Sequence, residues 1–364
     1  MTAMSQSASI HRTLYRTLGR WALLATLLAV VVVMLGAWTR LVHAGLGCPD
    51  WPGCYGFLTV PGSADQIAIA EARFPEVPVD TAKGWPEMIH RYAAGTLGLL
   101  VFGLAVAAIR HRRAGVPVKL PLFIAGFIVL QGAFGMWTVT LKLWPQVVAL
   151  HLLGGFTTLS LLTLLTLRLR TRPARVDNEA GHRLARLRPW LYGGLMLVVM
   201  QIALGAWTAA NYAAVACTDL PTCQGEWWPE MDFQHGFDIT QHVGPNYLGG
   251  QLTAAGRVAI HVSHRLGAVL VLAYWLILLA QLWRCGGSPL IRQATALVGV
   301  VLLAQIALGL ANVAFHIPLP VAVIHNAMGA GLLLTVIHLI WRLHHCYQPV
   351  LSTSSNLIKR EVAA

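Results

Sequence analysis

The sequence predicts an all-α membrane protein with eight transmembrane helices, arranged as two tandem pseudo-symmetric four-helix bundles. Three observations carry that prediction. Of the 364 residues, 56% are hydrophobic and only 11% charged, the balance of an integral membrane protein rather than of a soluble domain. Eight apolar runs reach the roughly 20 residues needed to span a bilayer. The chain also repeats itself. Gly36-Ala37-Trp38-Thr39 returns as Gly205-Ala206-Trp207-Thr208, and Cys48 and Cys54 return as Cys217 and Cys223, all 169 residues on. His90-Arg91, Gln131 and His151 return as His264-Arg265, Gln305 and His325, 174 residues on.

Taken in order, the runs lie at 21–42, 88–109, 120–140, 147–167, 190–210, 258–283, 294–313 and 321–343. The first follows Arg12, Arg16 and Arg20. It is longer than a signal-peptide core, lacks an Ala-x-Ala site, and has a counterpart mid-chain, so it reads as a helix. Pro86 suits the first turn of the second, where a missing N–H has no partner to lose. Arg110, Arg112, Arg113 and Lys119 separate the second run from the third. Arg168, Arg170, Arg172, Arg175, Arg183, Arg186 and Arg188 crowd the connection after the fourth, Arg284 and Arg292 flank the turn after the sixth, and Lys359 and Arg360 lie in the tail. All of these fall on one side, so the positive-inside rule places both termini in the cytoplasm. The formal charge of +12 therefore reports topology; no nucleic-acid motif accompanies it. Two long loops, 43–86 and 211–256, face outward. The resulting organisation is an N-terminal half at 1–172, a cytoplasmic linker at 173–185, a C-terminal half at 186–350 and a cytoplasmic tail at 351–364. An even number of helices per half makes the repeats parallel.

The chemistry lies in four histidines. His90, His151, His264 and His325 open the second, fourth, sixth and eighth runs, all of which pass from outside to inside. Ionisable groups inside a membrane are costly to keep. Bundle cores hold cofactors between facing helices, and two imidazoles supply both axial ligands of a haem iron. Zinc fits less well, because a closed site needs four ligands and each half offers two. For one histidine alone, a plain interhelical hydrogen bond would be the better reading; four at repeated positions favour haem. Glu87 sits three residues before His90, on the same helical face. The repeat aligns it with His261, which also stands beside His264 as a rival ligand. A carboxylate beside a porphyrin edge takes protons or steadies a developing cation. That break in symmetry suggests one catalytic and one electron-carrying half; drift in a surface turn is the competing account. Arg91 and Arg265 either pair with haem propionates or snorkel to headgroups. Gly95, Gly98, Gly132, Gly135, Gly154 and Gly155 allow close helix approach or room for a macrocycle. Cys48/Cys54 and Cys217/Cys223 share Cys-x5-Cys spacing on the side where disulfides persist. For the first pair, a redox role and a simple loop staple both stand.

Together, the two four-helix halves, Glu87-x-x-His90-Arg91, the matched His151, His264 and His325, and Cys48-x5-Cys54 resemble the haem A synthase family over about residues 20–345. The resemblance implies oxidation of the C8 methyl of haem O to a formyl group, giving haem A for cytochrome oxidase. It implies a resident haem b on His264 and His325, and a substrate haem on His90 and His151 with Glu87 near the reacting edge. The family's loop cysteines correspond to Cys48 and Cys54, repeated at Cys217 and Cys223. Implied surroundings are the bilayer of a bacterial inner membrane, a haem O synthase as neighbour, cytochrome oxidase assembly factors, and room for a homo-oligomer; no nucleic acid enters. The rival functions are a di-haem electron-transfer protein and a haem carrier.

Overall fold

The computed structural model describes residues 2–171, 174–175, 178–285 and 288–347, with main chain alone for 2–12, 174–175, 178 and 346–347. The proposed tail at 351–364, with Lys359 and Arg360, lies outside the described residues, as do Arg172 and Pro173 at the start of the linker. Eight described helices are long and apolar enough to cross a membrane. They are α1 (Thr2–Leu41), α3 (Thr81–Arg110), α4 (Lys119–Thr140), α5 (Pro145–Arg170), α7 (Arg188–Ala210), α9 (Ala254–Cys285), α10 (Pro289–Ala314) and α11 (Leu319–His344). Three shorter helices occupy the connections: α2 (Ala64–Arg73), α6 (Asn178–Arg186) and α8 (Phe233–Gly236). Two two-residue strands, β1 (Ala174–Arg175) and β2 (Cys346–Tyr347), pair in parallel and tie the linker to the end of α11.

The helices that carry histidines begin earlier than the apolar runs do. Helix α3 starts at Thr81, where the Asp80 side chain caps it by accepting from the Lys83 N–H. Pro86 therefore stands inside the helix and not in its first turn, which corrects the expectation drawn from proline preference. The signal that prevails is the N-cap, since an aspartate there satisfies an orphan N–H. With a rise of 1.5 Å per residue, His90 lies roughly 14 Å along α3 and His151 roughly 9 Å along α5. All four histidines thus sit a turn or more deeper than the openings of their helices. In the first loop, α2 begins with a capping box between Ser63 and Gln66, a polar signal that apolar periodicity does not reveal.

Within the first half α1 packs on α3 and α5, and α4 on α3 and α5; within the second, α7 packs on α9 and α11, and α10 on α9 and α11. Helices α1 and α5 then meet α7 and α11 across the middle. One continuous apolar core fills the end nearest the linker, from Leu18, Ala22 and Ala25 on α1 to Leu339 and Leu343 on α11. Close approach there depends on small residues, as expected where lipid tails give no hydrophobic drive to association. Trp275 is fully buried and donates Nε1–H to the Gly194 carbonyl at 3.2 Å; a Cβ on Gly194 would lie 2.8 Å from the indole.

The loop end is held by polar contacts. Arg40, at the end of α1, donates Nη2–H to the Ala209 and Ala210 carbonyls at 2.9 and 3.2 Å. Its guanidinium also lies 3.8 Å over the Tyr212 ring, and His43 stacks on the same ring. A cation is favourable at the carbonyl end of a helix, so Arg40 straps the two halves together. The second loop also crosses over the first half: Trp144 donates to the Gln241 carbonyl at 2.7 Å, and the Tyr247 N–H donates to the Lys142 carbonyl at 3.0 Å.

Candidate paired-histidine site

The four histidines share one local construction. Each half-buried ring rests its Cε1 edge on a glycine of the neighbouring helix: His90 on Gly36 of α1, His151 on Gly135 of α4, His264 on Gly205 of α7, and His325 on Gly309 of α10. A Cβ added to these glycines would lie 3.0, 3.2, 3.1 and 3.2 Å from Cε1 respectively. Any larger residue would push the ring away. Four residues before three of these glycines stands a glutamine. Gln131 lies 3.1 Å from His151 Nδ1 through its amide nitrogen and donates to the His151 carbonyl at 2.6 Å. Gln201 does the same for His264, at 3.1 and 2.9 Å. Gln305 reaches His325 Nε2 at 3.4 Å.

His90 and His151 come together across the first bundle with ring centres 6.5 Å apart and planes 84° apart. A metal ion sits about 2.0–2.1 Å from an imidazole nitrogen, with the ring centre about 1 Å further, so two imidazoles flanking one ion have centres roughly 6 Å apart. The observed spacing fits two axial ligands on one iron. His264 and His325 lie within electrostatic range of each other in the second bundle. Among the described residues no group of three or more His, Cys, Asp or Glu is placed to hold a metal ion, which suits a haem and not a closed zinc site. The glutamines fit as well. A ligating imidazole carries its proton on the other ring nitrogen and needs an acceptor for it. The buried Oε1 atoms of Gln201 and Gln305 have no hydrogen-bond partner, and turning the amide offers one to the ring. A Cβ at Gly95, Gly98 or Gly132 would meet nothing within 4 Å, so those faces of α3 and α4 are also open to a flat ligand.

Glu87 is buried, one turn from the His90 level. One carboxylate oxygen accepts from the Cys48 N–H at 3.0 Å, and the other is paired with Arg91 Nη2. Arg91 Nη1 also donates to the carbonyls of Asp50, Pro52 and Gly53. Cys48 and Cys54 are disulfide-bonded, as are Cys217 and Cys223. In the second half Arg265 donates to the Cys217 and Thr222 carbonyls at 2.9 and 2.8 Å. Both arginines therefore use these donors on the cysteine loops, a use that propionate pairing would have to share. An aspartate knits each loop from within. Asp50 accepts from the Tyr55 and Gly56 N–H groups, and Asp219 from Thr222 Oγ1–H and the Gln224 and Gly225 N–H groups. These hydrogen bonds, that of Thr222 first, hold the Asp219 carboxyl down at about 2.

His261 takes the place of Glu87 in the second half. It is buried, with Nδ1 unpartnered, and lies a turn from His264 without replacing it over Gly205. His338 accepts from Arg342 Nε at 3.2 Å near the linker end. Sequence reasoning used Gln131 and Gln305 only as repeat landmarks and overlooked Gln201. The available signal was the spacing Gln-x-x-x-Gly on α4, α7 and α10.

Known proteins resemble the chain over most of its length. A family model described as COX15-CtaA, cytochrome oxidase assembly protein, matches residues 19–337. The heme A synthase of Shewanella oneidensis is 44% identical over 89% of this chain and 96% of its own. Those of Rhizorhabdus wittichii and Halalkalibacterium halodurans are each 26% identical, over 92% and 90% of this chain and 95% and 97% of their own. Eight membrane helices, histidines paired across a bundle and a match spanning nearly every helix agree: the chain belongs to the COX15-CtaA family of cytochrome oxidase assembly proteins.

Proposed function

We propose that the protein is an oxidoreductase that converts the C8 methyl of haem O to a formyl group, giving haem A for cytochrome oxidase. One observation carries the reading: two matched histidine pairs, with a buried carboxylate beside only one of them. Relatives of this chain are heme A synthases. The C-terminal half would hold haem b through His264 and His325, and the N-terminal half would take haem O through His90 and His151. When bound, haem b supplies reversible one-electron chemistry. The chain's own residues do the rest. The glycines and glutamines orient the imidazoles, and the apolar helix faces exclude water. Glu87 offers a carboxylate to the proton or positive charge that appears as the methyl is oxidised. The Cys48 N–H and Arg91 hold that carboxylate in place, as preorganised groups must be held. His261 offers no carboxylate at the matching place, and this asymmetry favours an enzyme over a symmetric electron wire or a carrier. The basic connections lie at the linker end, so the termini are assigned to the cytoplasm of a bacterial inner membrane, with the cysteine loops outside. A haem O synthase would supply the substrate and oxidase assembly factors would receive the product.

Glu87→Gln tests the reading. The amide can still accept from the Cys48 N–H, while the charge is gone. The variant should fold, keep haem b, accumulate haem O or the alcohol intermediate, and yield less than about a tenth of the haem A, as removal of one acid–base or electrostatic group costs 10²-fold or more. Haems extracted from cells with a haem O source and separated by chromatography give the answer. A normal haem A yield would remove Glu87 from the chemistry, and loss of every haem would make its role structural.

A further inference from the structure

Three of the four histidine-facing helices carry glutamine four residues before the supporting glycine: Gln131/Gly135, Gln201/Gly205 and Gln305/Gly309. On α1 the same two places are Val32 and Gly36, at the 169-residue repeat offset from Gln201 and Gly205. Val32 packs against the apolar core. His90 is consequently the one histidine of the four without an amide partner. Its Nδ1 is buried, makes no hydrogen bond to a described side chain, and lies toward the Val32 main chain. The notch that receives the amide is missing too. Gly154 and Gly267, three residues after His151 and His264, leave room for Gln131 and Gln201, whose Oε1 atoms would lie 2.1 and 2.2 Å from an added Cβ. Three residues after His90 stands Ala93.

An outer partner on the second ring nitrogen fixes the ring's orientation and raises its strength as a ligand. At His151 and His264 the glutamine also grips the main-chain carbonyl of the same residue, so ring and backbone are held from one neighbouring helix. His90 has only the Gly36 seat and the packing around it. Of two otherwise matched ligands on one iron, the one without an outer partner detaches first.

We propose that His90 is the exchangeable ligand of the substrate haem, and that valine at 32 in place of glutamine is what makes the N-terminal site one of turnover while the C-terminal site retains its haem. The inference rests on the proposed haem ligation by the two histidine pairs and deepens it. It assigns Val32 and Ala93 as specificity-determining positions and Gln201 as a positioning residue, none of which touches the reacting methyl.

The test transplants the feature in both directions in the full-length, haem-loaded protein. Val32→Gln with Ala93→Gly supplies the missing amide and its notch; Gln201→Val removes the counterpart. Two readouts are independent of turnover. One is the rate at which each haem passes to excess apomyoglobin, with haem b and haem O or A told apart by extraction. The other is carbon monoxide binding to the reduced protein, which reports a ligand that detaches. In the unaltered protein, haem O or A should leave faster than haem b and bind carbon monoxide. The double variant should slow that loss about tenfold and suppress carbon monoxide binding, while Gln201→Val should speed haem b loss about tenfold, the lower end of what an outer-shell partner contributes. Equal loss of both haems from the unaltered protein, or rates unmoved by Gln201→Val, overturns the proposal even if the double variant fails to fold. Full retention of the N-terminal haem in His90→Ala or His151→Ala would overturn the ligation reading itself, and this inference with it.

Discussion

At the scale of single residues, each proposed iron ligand is set by a close contact rather than by its own preference. The Cε1 edge of His264 lies within 3.1 Å of where a Cβ on Gly205 would be, and Gln201 meets its other side. Such support keeps a ligand within the small tolerance a metal site allows. His264→Ala and His325→Ala should each remove haem b, leaving an apoprotein that still takes up haem O through His90 and His151. Pyridine haemochrome content of the purified variants, with the extracted haems identified, measures this. Full haem b retention in both variants would sink the assignment, and loss of haem O as well would mean that the halves do not bind independently.

At the scale of elements, the two cysteine loops are small hydrogen-bonded units docked on arginines of the long helices α3 and α9. Each closes with a disulfide and an aspartate that receives main-chain N–H groups, Asp50 in one and Asp219 in the other. The Asp219 carboxyl is held at about 2, below its ordinary 3.8, because Thr222 and the Gln224 and Gly225 N–H groups donate to the charged form. A carboxylate whose pKa is lower in the folded loop stabilises that loop above its ordinary pKa, and the contribution fades as pH falls from about 4 to about 2. Fluorescence of Trp227 and Trp228, which follow directly in the chain, should change with a midpoint near 2 in a detergent-solubilised acid titration. A midpoint near 4 would show Asp219 free of these partners, and Asp219→Asn should abolish the transition.

At the scale of the whole molecule, the halves are joined by an apolar core at one end and by polar straps at the other. Arg40 is the strongest of these straps, with two charge-assisted hydrogen bonds to the end of α7 and a cation–π contact to Tyr212. Hydrogen bonds to charged groups are worth about 1.5–3 kcal/mol each and a cation–π contact about 0.5–2 kcal/mol. Arg40→Met keeps the aliphatic stem and should cost about 2–4 kcal/mol, lowering the thermal midpoint in detergent by several degrees. Haem b content should hold, because His264 and His325 lie wholly within the second half. An unchanged midpoint would show that the apolar core alone joins the halves.

The sequence by itself determined the number of helices, the internal repeat and the four histidines. Hydropathy is additive along the chain, and membrane helices must satisfy their own main chain, so those features are local and legible. Local signals also misled: proline preference put the start of α3 at Pro86, whereas the Asp80 cap sets it at Thr81. Only the tertiary structure decided which groups surround each histidine. Gln201 stands 63 residues before His264 in the chain and Gly205 stands 59 before it, yet both touch the ring. It likewise decided that Arg91 reaches the carbonyls of the cysteine loop and the Glu87 carboxylate together. Such contacts depend on how the helices rotate and close on one another, which small residues and polar partners fix through packing, and no single stretch of chain carries that information.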